Sequence, residues 1–230
     1  MEKLKQELLE LLKDKGGVLI GVANMEGVEN CAYLVGISVA IPIPKHIIED
    51  LKTAPTLEYH ELYHSLNGKL NDIVEAGEAL LREKGYNALA LTTNKVVWDK
   101  TDHSTALPHK TVATRAGLGW IGKSCILVTP EYGGAIRMST LLTDAPLPAD
   151  EAITVSRCGG CRKCVEACPA QALTGINWKE GMEREEIADV FACDRTMRAN
   201  MQKLHGFEFT ICGKCFAVCP YTQRYLNQQV

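Results

Sequence analysis

The stretch CGGCRKCVEACP places cysteines at 158, 161, 164 and 168, with Pro169 directly after the last. A three-residue step wraps successive thiolates around one small body, and C-x2-C-x2-C-x3-C-P is the spacing of a run that holds an iron–sulfur cubane. Further on, CGKCFAVCP repeats the end of that run with Cys212, Cys215, Cys219 and Pro220. Its missing leading thiol has a candidate in Cys193, within FACDR. Eight thiolates are what two [4Fe–4S] clusters need, and the cysteine before proline points to the other cluster. The spacing therefore predicts one set of Cys158, Cys161, Cys164 and Cys219 and a second set of Cys168, Cys193, Cys212 and Cys215. Structural zinc is the competing use of clustered thiols, but its sites typically pair cysteines or histidines, which the run fits poorly.

The remaining two of the ten cysteines, Cys31 and Cys125, lie outside this region. The 230 residues are 46% hydrophobic and 23% charged, with a formal net charge of −3. That balance is ordinary for a soluble globular chain and gives no general pull toward nucleic acid or an anionic membrane. The N-terminal MEKLKQELLELLKDKGG lacks the apolar core of a signal peptide, and YLVGISVAIPIP is too short and proline-rich to span a bilayer. A cytoplasmic protein is expected.

Periodicity predicts an amphipathic helix over 2–14, strands at 17–23 and 33–41, a short helix in KHIIEDLK, a long helix over 57–83 and a strand at 86–93. A helix follows over 106–116. SCILVT and AIRMSTLLT flank PEYGG as a predicted hairpin, and a helical stretch covers about 184–203. The proline-bearing DAPLPADEA (144–152) is the best linker candidate, dividing 1–148 from 149–230.

Two motifs in the first part imitate other chemistries. HELYH (60–64) puts His60 and His64 on one side of a helix, as a zinc hydrolase would require. A third ligand is needed, and Glu83 lies roughly 28 Å further along the same helix; the motif reads as part of an amphipathic helix. GLGWIG (117–122) matches a dinucleotide fingerprint in letters, but a helix precedes it and a strand follows, the reverse of what that fingerprint needs.

RAGLGWIGKS, LVTPEYGGAIRMSTLLTD and the two cysteine motifs, in this order, resemble the epoxyqueuosine reductase family, and the redox core of reductive dehalogenases is similar. PTLEYHELYHSLNGKLNDI also resembles a helix of that group. The resemblance covers most of residues 15–225. It implies an α/β (α+β) fold: a nitroreductase-like, cobalamin-binding N-terminal domain with a two-cluster ferredoxin-like domain after it. Electrons would pass from a ferredoxin or flavodoxin through both clusters to a corrinoid that reduces a small molecule. Gly117, Gly119, Trp120, Gly122, Lys123 and Ser124 would frame the corrinoid or the cluster interface. The family's aspartate proton donor lies some twelve residues before the arginine of RAGLGW. Counting back from Arg115 gives His103 with Asp102 beside it, outside the usual D-x-x-P context, and His109 is a second candidate for the proton.

Epoxyqueuosine reductases continue into a helical-repeat region that helps hold tRNA. This chain stops soon after the second cysteine motif and is net negative, so a nucleic-acid substrate is not expected. Three alternatives use the same residues differently: a non-catalytic electron carrier or reductive activase of a corrinoid protein, an FMN-dependent iron–sulfur reductase, and the zinc hydrolase.

Overall fold

The computed structural model describes residues 1–228. In chain order the elements are α1 (Glu2–Asp14), β1 (Leu19–Asn24), β2 (Val35–Pro42), α2 (Lys45–Leu51), α3 (Leu57–Glu83), β3 (Ala88–Leu91), β4 (Trp98–Asp99) and β5 (Ser104–Thr105). There follow α4 (His109–Arg115), β6 (Trp120–Ile121), β7 (Leu127–Val128), β8 (Ile136–Thr143), α5 (Lys163–Ala167), α6 (Arg184–Ile187), α7 (Val190–His205), α8 (Lys214–Ala217) and α9 (Pro220–Asn227). Among the described residues no helix is long and apolar enough to cross a membrane.

The chain separates into two compact units, each drawn from discontinuous stretches. One comprises Met1–Pro42, His64–Gly119 and Arg137–Ile153; the other comprises Ile43–Tyr63, Trp120–Ile136 and Thr154–Val230.

The first unit is built on a four-stranded sheet in the order β1-β2-β8-β3. Strands β1 and β2 pair antiparallel from Leu19↔Ala40 to Asn24↔Val35, and β3 pairs antiparallel with β8. Seven of the eight β2 residues are buried, which is why VGISVAIP reads as continuously apolar rather than alternating. Helices cover both faces. A β-carbon on Gly36 would meet Val112 of α4 at 2.8 Å, and one on Gly77 of α3 would meet Leu141 of β8 and Leu12 of α1 at 2.7 and 3.0 Å. These glycines are what lets helix and sheet approach so closely. Ala23, Met25, Leu107, Val112, Ala116 and Leu142 form a buried cluster under α4.

The second unit is helical, with one two-stranded ribbon, β6–β7. Helix α8 lies against α2, α5 and α9. Aromatic edges fill the space around the start of α3: Tyr59 meets Phe216 at 6.3 Å, and the His60 ring meets Phe207 and Phe209 at 5.1 and 4.4 Å. The HELYH histidine that imitates a zinc ligand is therefore an aromatic packing group.

Three expected elements change. The helix expected over 106–116 starts at His109, because Pro108 takes the N-cap position and the residue before a proline is driven out of helical geometry. The expected hairpin across PEYGG does not form as strand pairs. Thr129 and Gly133 close the turn by an isolated bridge, but β7 pairs with β6 and β8 is taken up by the sheet. The stretch at 184–203 splits into α6 and α7. Ala188 is extended and bridges Leu173, and Asp189 caps α7 by accepting from the Ala192 N–H at 2.9 Å.

Candidate metal centre

Cys158 and Cys161 sit in the loop before α5, Cys164 on α5, and Cys219 at the N-cap of α9. The loop turns at Gly159, whose φ of +54° lies in the left-handed region, and the Cys161 N–H donates to the Cys158 carbonyl at 3.2 Å. All four thiols line one cavity, together with Cys215, Lys123, Ser124 and Tyr221.

Burial pushes the Cys164 thiol up to about 11, and the neighbouring sulfurs of Cys158, Cys219 and Cys161 add to the shift. Burial also raises Cys219; the backbone N–H groups of Tyr221 and Thr222, at the start of α9, hydrogen-bond it and pull the other way. Cys164 and Cys219 hold their protons until a cation replaces them.

Lys123 and Ser124, at the end of GLGWIGKS, form part of the wall of this cavity. Lys123 is 5% exposed and its Nζ donates to the Gly159 carbonyl at 2.7 Å, tying the wall to the cysteine loop. A β-carbon on Gly122 would meet Val128 at 2.7 Å and stand 3.7 Å from the Cys158 sulfur. Trp120 is fully buried, edge-on to Tyr221 at 4.8 Å, with the Arg157 guanidinium 5.5 Å over its ring.

The second set spans more of the chain. Cys168 ends α5, Cys193 lies on α7, and Cys212 and Cys215 flank the start of α8. Gly213, at φ +80°, makes the turn between the last two, and a β-carbon there would strike Leu51 at 2.6 Å. Burial pushes Cys193 up to about 11, with Cys168 and Cys212 contributing. Cys212 is also raised by burial, opposed by a hydrogen bond from the Lys214 N–H. Cys215 is raised by burial and then by Cys212, Cys193, Cys164 and Cys168, so it feels sulfur from both sets.

Sequence reasoning set Cys125 aside. Its sulfur nevertheless acts on Cys193, from a residue held at φ +61° in the β6–β7 turn. Nothing in its spacing marks it.

Among the described residues, no three His, Cys, Asp or Glu side chains are placed to hold one metal ion between them. The two expected sets of half-buried thiols suit polynuclear clusters. Of the six positions expected to frame a corrinoid or the cluster interface, Lys123 and Ser124 line the thiol cavity. Gly122 directly precedes them, Trp120 is fully buried, and a β-carbon on Gly117 would meet the Glu151 carbonyl at 2.6 Å. Gly119 leads into β6.

The candidate proton donors lie in the first unit. Asp102 and His103 occupy the β4–β5 connection. The Asp102 carboxylate accepts from the Ser104 N–H at 2.9 Å, and His103, at φ +56°, has its ring 5.9 Å from Trp98. His109 opens α4 with a ring nitrogen 2.9 Å from the Thr140 hydroxyl. Burial lowers it to about 4, with Arg137 adding to the effect, so the imidazole is neutral at pH 7.

Residues 157–222 match the model of the 4Fe-4S double cluster binding domain. An epoxyqueuosine reductase from Bacillus cereus is 33% identical over 114 residues, covering 50% of this chain and 29% of the relative. One from Synechococcus sp. is 37% identical over 128 residues, covering 56% and 39%. The matched stretches thus span well under half of these curated relatives. Among solved structures, a reductive dehalogenase whose structure suggests a mechanism for B12-dependent dehalogenation has a TM-score of 0.70 at 21% identity, covering 93% of this chain and 31% of that one. An epoxyqueuosine reductase solved with a tRNA stem loop has a TM-score of 0.61 at 22% identity, covering 96% and 66%. At these identities the structures establish the fold. That last neighbour holds a tRNA stem loop, which counts against the expectation that nucleic acid is not a partner. The chain therefore carries the sequence of a double [4Fe–4S] cluster domain over residues 157–222 and is similar, over half its length, to epoxyqueuosine reductases.

Proposed function

We propose that this protein is an iron–sulfur oxidoreductase of the epoxyqueuosine reductase type. Cys158, Cys161, Cys164 and Cys219 hold one [4Fe–4S] cluster, and Cys168, Cys193, Cys212 and Cys215 hold the other. The observation that carries the reading is the gathering of Cys158, Cys161, Cys164, Cys215 and Cys219 around one cavity, with Cys215 also under the influence of Cys168, Cys193 and Cys212.

The residues of the chain do three things in this scheme. The quartets replace protons with iron and keep water from the sulfurs. The N–H groups at the starts of α8 and α9 stabilise thiolate charge on Cys212 and Cys219. Lys123, held against the Gly159 carbonyl, places a fixed cation beside the first quartet and favours its more reduced, more negative state.

The electron donor in this scheme is a ferredoxin or flavodoxin, and the acceptor is a corrinoid, which when bound supplies two-electron reductive chemistry. The B12-dependent dehalogenase neighbour supports the corrinoid. His103, with Asp102 beside it, is the proposed proton donor, and neutral His109 is a hydrogen-bonding group against Thr140. The substrate is a small molecule. A second reading, an RNA-borne substrate, is favoured by the neighbour solved with a tRNA stem loop.

The test is anaerobic reconstitution followed by addition of cob(II)alamin and EPR. The reading expects about eight iron ions per chain, four for each cubane, and a cobalt signal shifted to a protein-bound, base-off form. Full iron with the spectrum of free cobalamin removes the corrinoid and leaves a two-cluster carrier or an FMN enzyme.

A further inference from the structure

A depression of about 210 Å³ opens beside Cys212 and is lined by Pro169, Leu51, Lys203, Leu204 and Lys214, among others. Its lining includes two lysines and no carboxylate. Among the described residues neither lysine forms an ion pair, whereas nearby Arg198 is held by Asp194 at 2.8 Å and faces Glu208 at 3.8 Å. In a chain of net charge −3, two uncompensated cations at one depression stand out from the background. Leu204 is 50% exposed there, an apolar contact next to the charges. The cavity of the first quartet is different: its lysine, Lys123, is buried and committed to Gly159.

We propose that the depression beside Cys212 is the port where an acidic one-electron carrier protein docks and delivers electrons to the second quartet. This rests on the two-cluster reading above. An exposed apolar side chain with cations around it suits a transient, electrostatically steered encounter. Cys212 belongs both to the depression and to the proposed cluster, so the path from the partner's surface to the cluster is short. In each encounter one electron leaves the carrier's reduced centre and enters the second cluster. No bond forms or breaks, and two encounters supply a two-electron reduction.

The experiment is anaerobic stopped-flow reduction of the reconstituted protein by an acidic flavodoxin in its hydroquinone form, with dithionite as the small reductant. Lys203 is exposed and can be changed without disturbing the fold. Lys203→Glu is expected to slow reduction by flavodoxin at low ionic strength about tenfold or more. The difference should shrink in high salt, with iron content and the dithionite rate unchanged. An unaltered flavodoxin rate overturns the proposal, as does a slowing seen instead in Arg157→Glu, at the first quartet. A chain that takes up no iron overturns the underlying reading, and that shows as a missing chromophore before any carrier is added.

Discussion

The two thiol quartets are assembled in different ways. The first takes three members from residues 158–164 and closes the ring with Cys219 from the start of α9. The second takes Cys168 from the end of α5, Cys193 from α7 and two from around α8. A short loop can hold most of the first in place by itself. The second exists only once three helices have come together, so its metal binding is tied more closely to folding of the unit. Their surroundings differ as well. The first is walled by the buried Lys123, while the second has the extra sulfur of Cys125 near Cys193 and the cationic depression at Cys212.

The largest expected effect separates the quartets directly. Cys193→Ala should lower iron from about eight to about four per chain and leave the first cluster's signal. Cys161→Ala should do the converse. Iron analysis with EPR checks both, and a Cys193→Ala protein that keeps about eight irons would mean that another thiol, Cys125 first among them, takes its place.

A pH effect outside both quartets comes next. His109 has a folded pKa of about 4, below its ordinary value, so the unfolded chain binds this proton first as the pH falls. Its contribution is complete above about 6.5 and is lost between there and about 4, amounting to roughly 3 kcal/mol. Denaturant melts of the apoprotein should show that slope, and His109→Gln should flatten it. An unchanged slope would assign acid sensitivity to groups elsewhere.

Two glycines then compare the cysteine turns. Gly213 and Gly159 both have positive φ, but a β-carbon at Gly213 would strike Leu51 at 2.6 Å, while at Gly159 nothing lies within 4 Å. Gly159→Ala should cost about 1–2 kcal/mol from backbone conformation alone, and Gly213→Ala more, by the added overlap. Thermal melts of the two variants decide it; equal losses would show that Leu51 yields freely. The smallest effect is at the cap of the helix that carries Cys193. Asp189→Ala should cost about 1 kcal/mol and weaken iron retention in the second quartet before the first, measured by chelator competition.

Much of this was legible in the residues. Periodicity predicted α3 to its observed bounds, Leu57–Glu83, because a long amphipathic pattern has few alternatives. The cysteine spacing places Cys158, Cys161 and Cys164 close together, since a short step in sequence is a short step in space, and these three line one cavity with Cys215 and Cys219. Where tertiary pairing decides, the sequence was silent. Strand β8 pairs with β3, nearly fifty residues before it, so local hairpin signals around PEYGG misled. The break at Ala188 depends on a bridge to Leu173 that no local pattern announces. A sequential cut at 148/149 follows the cysteine-rich composition, whereas the compact unit that holds the thiols also draws in residues 43–63 and 120–136. That recruitment is what puts Lys123 and Ser124 beside the first quartet and brings Cys125 near the second.

The most direct test of the central claim is EPR of the reconstituted protein after full reduction by dithionite, with iron counted on the same sample. Two neighbouring quartets, joined through Cys215 and Cys164, predict about eight irons and a spectrum broadened by spin coupling between two reduced clusters. About four irons with a single uncoupled signal, or zinc in place of iron, would contradict it.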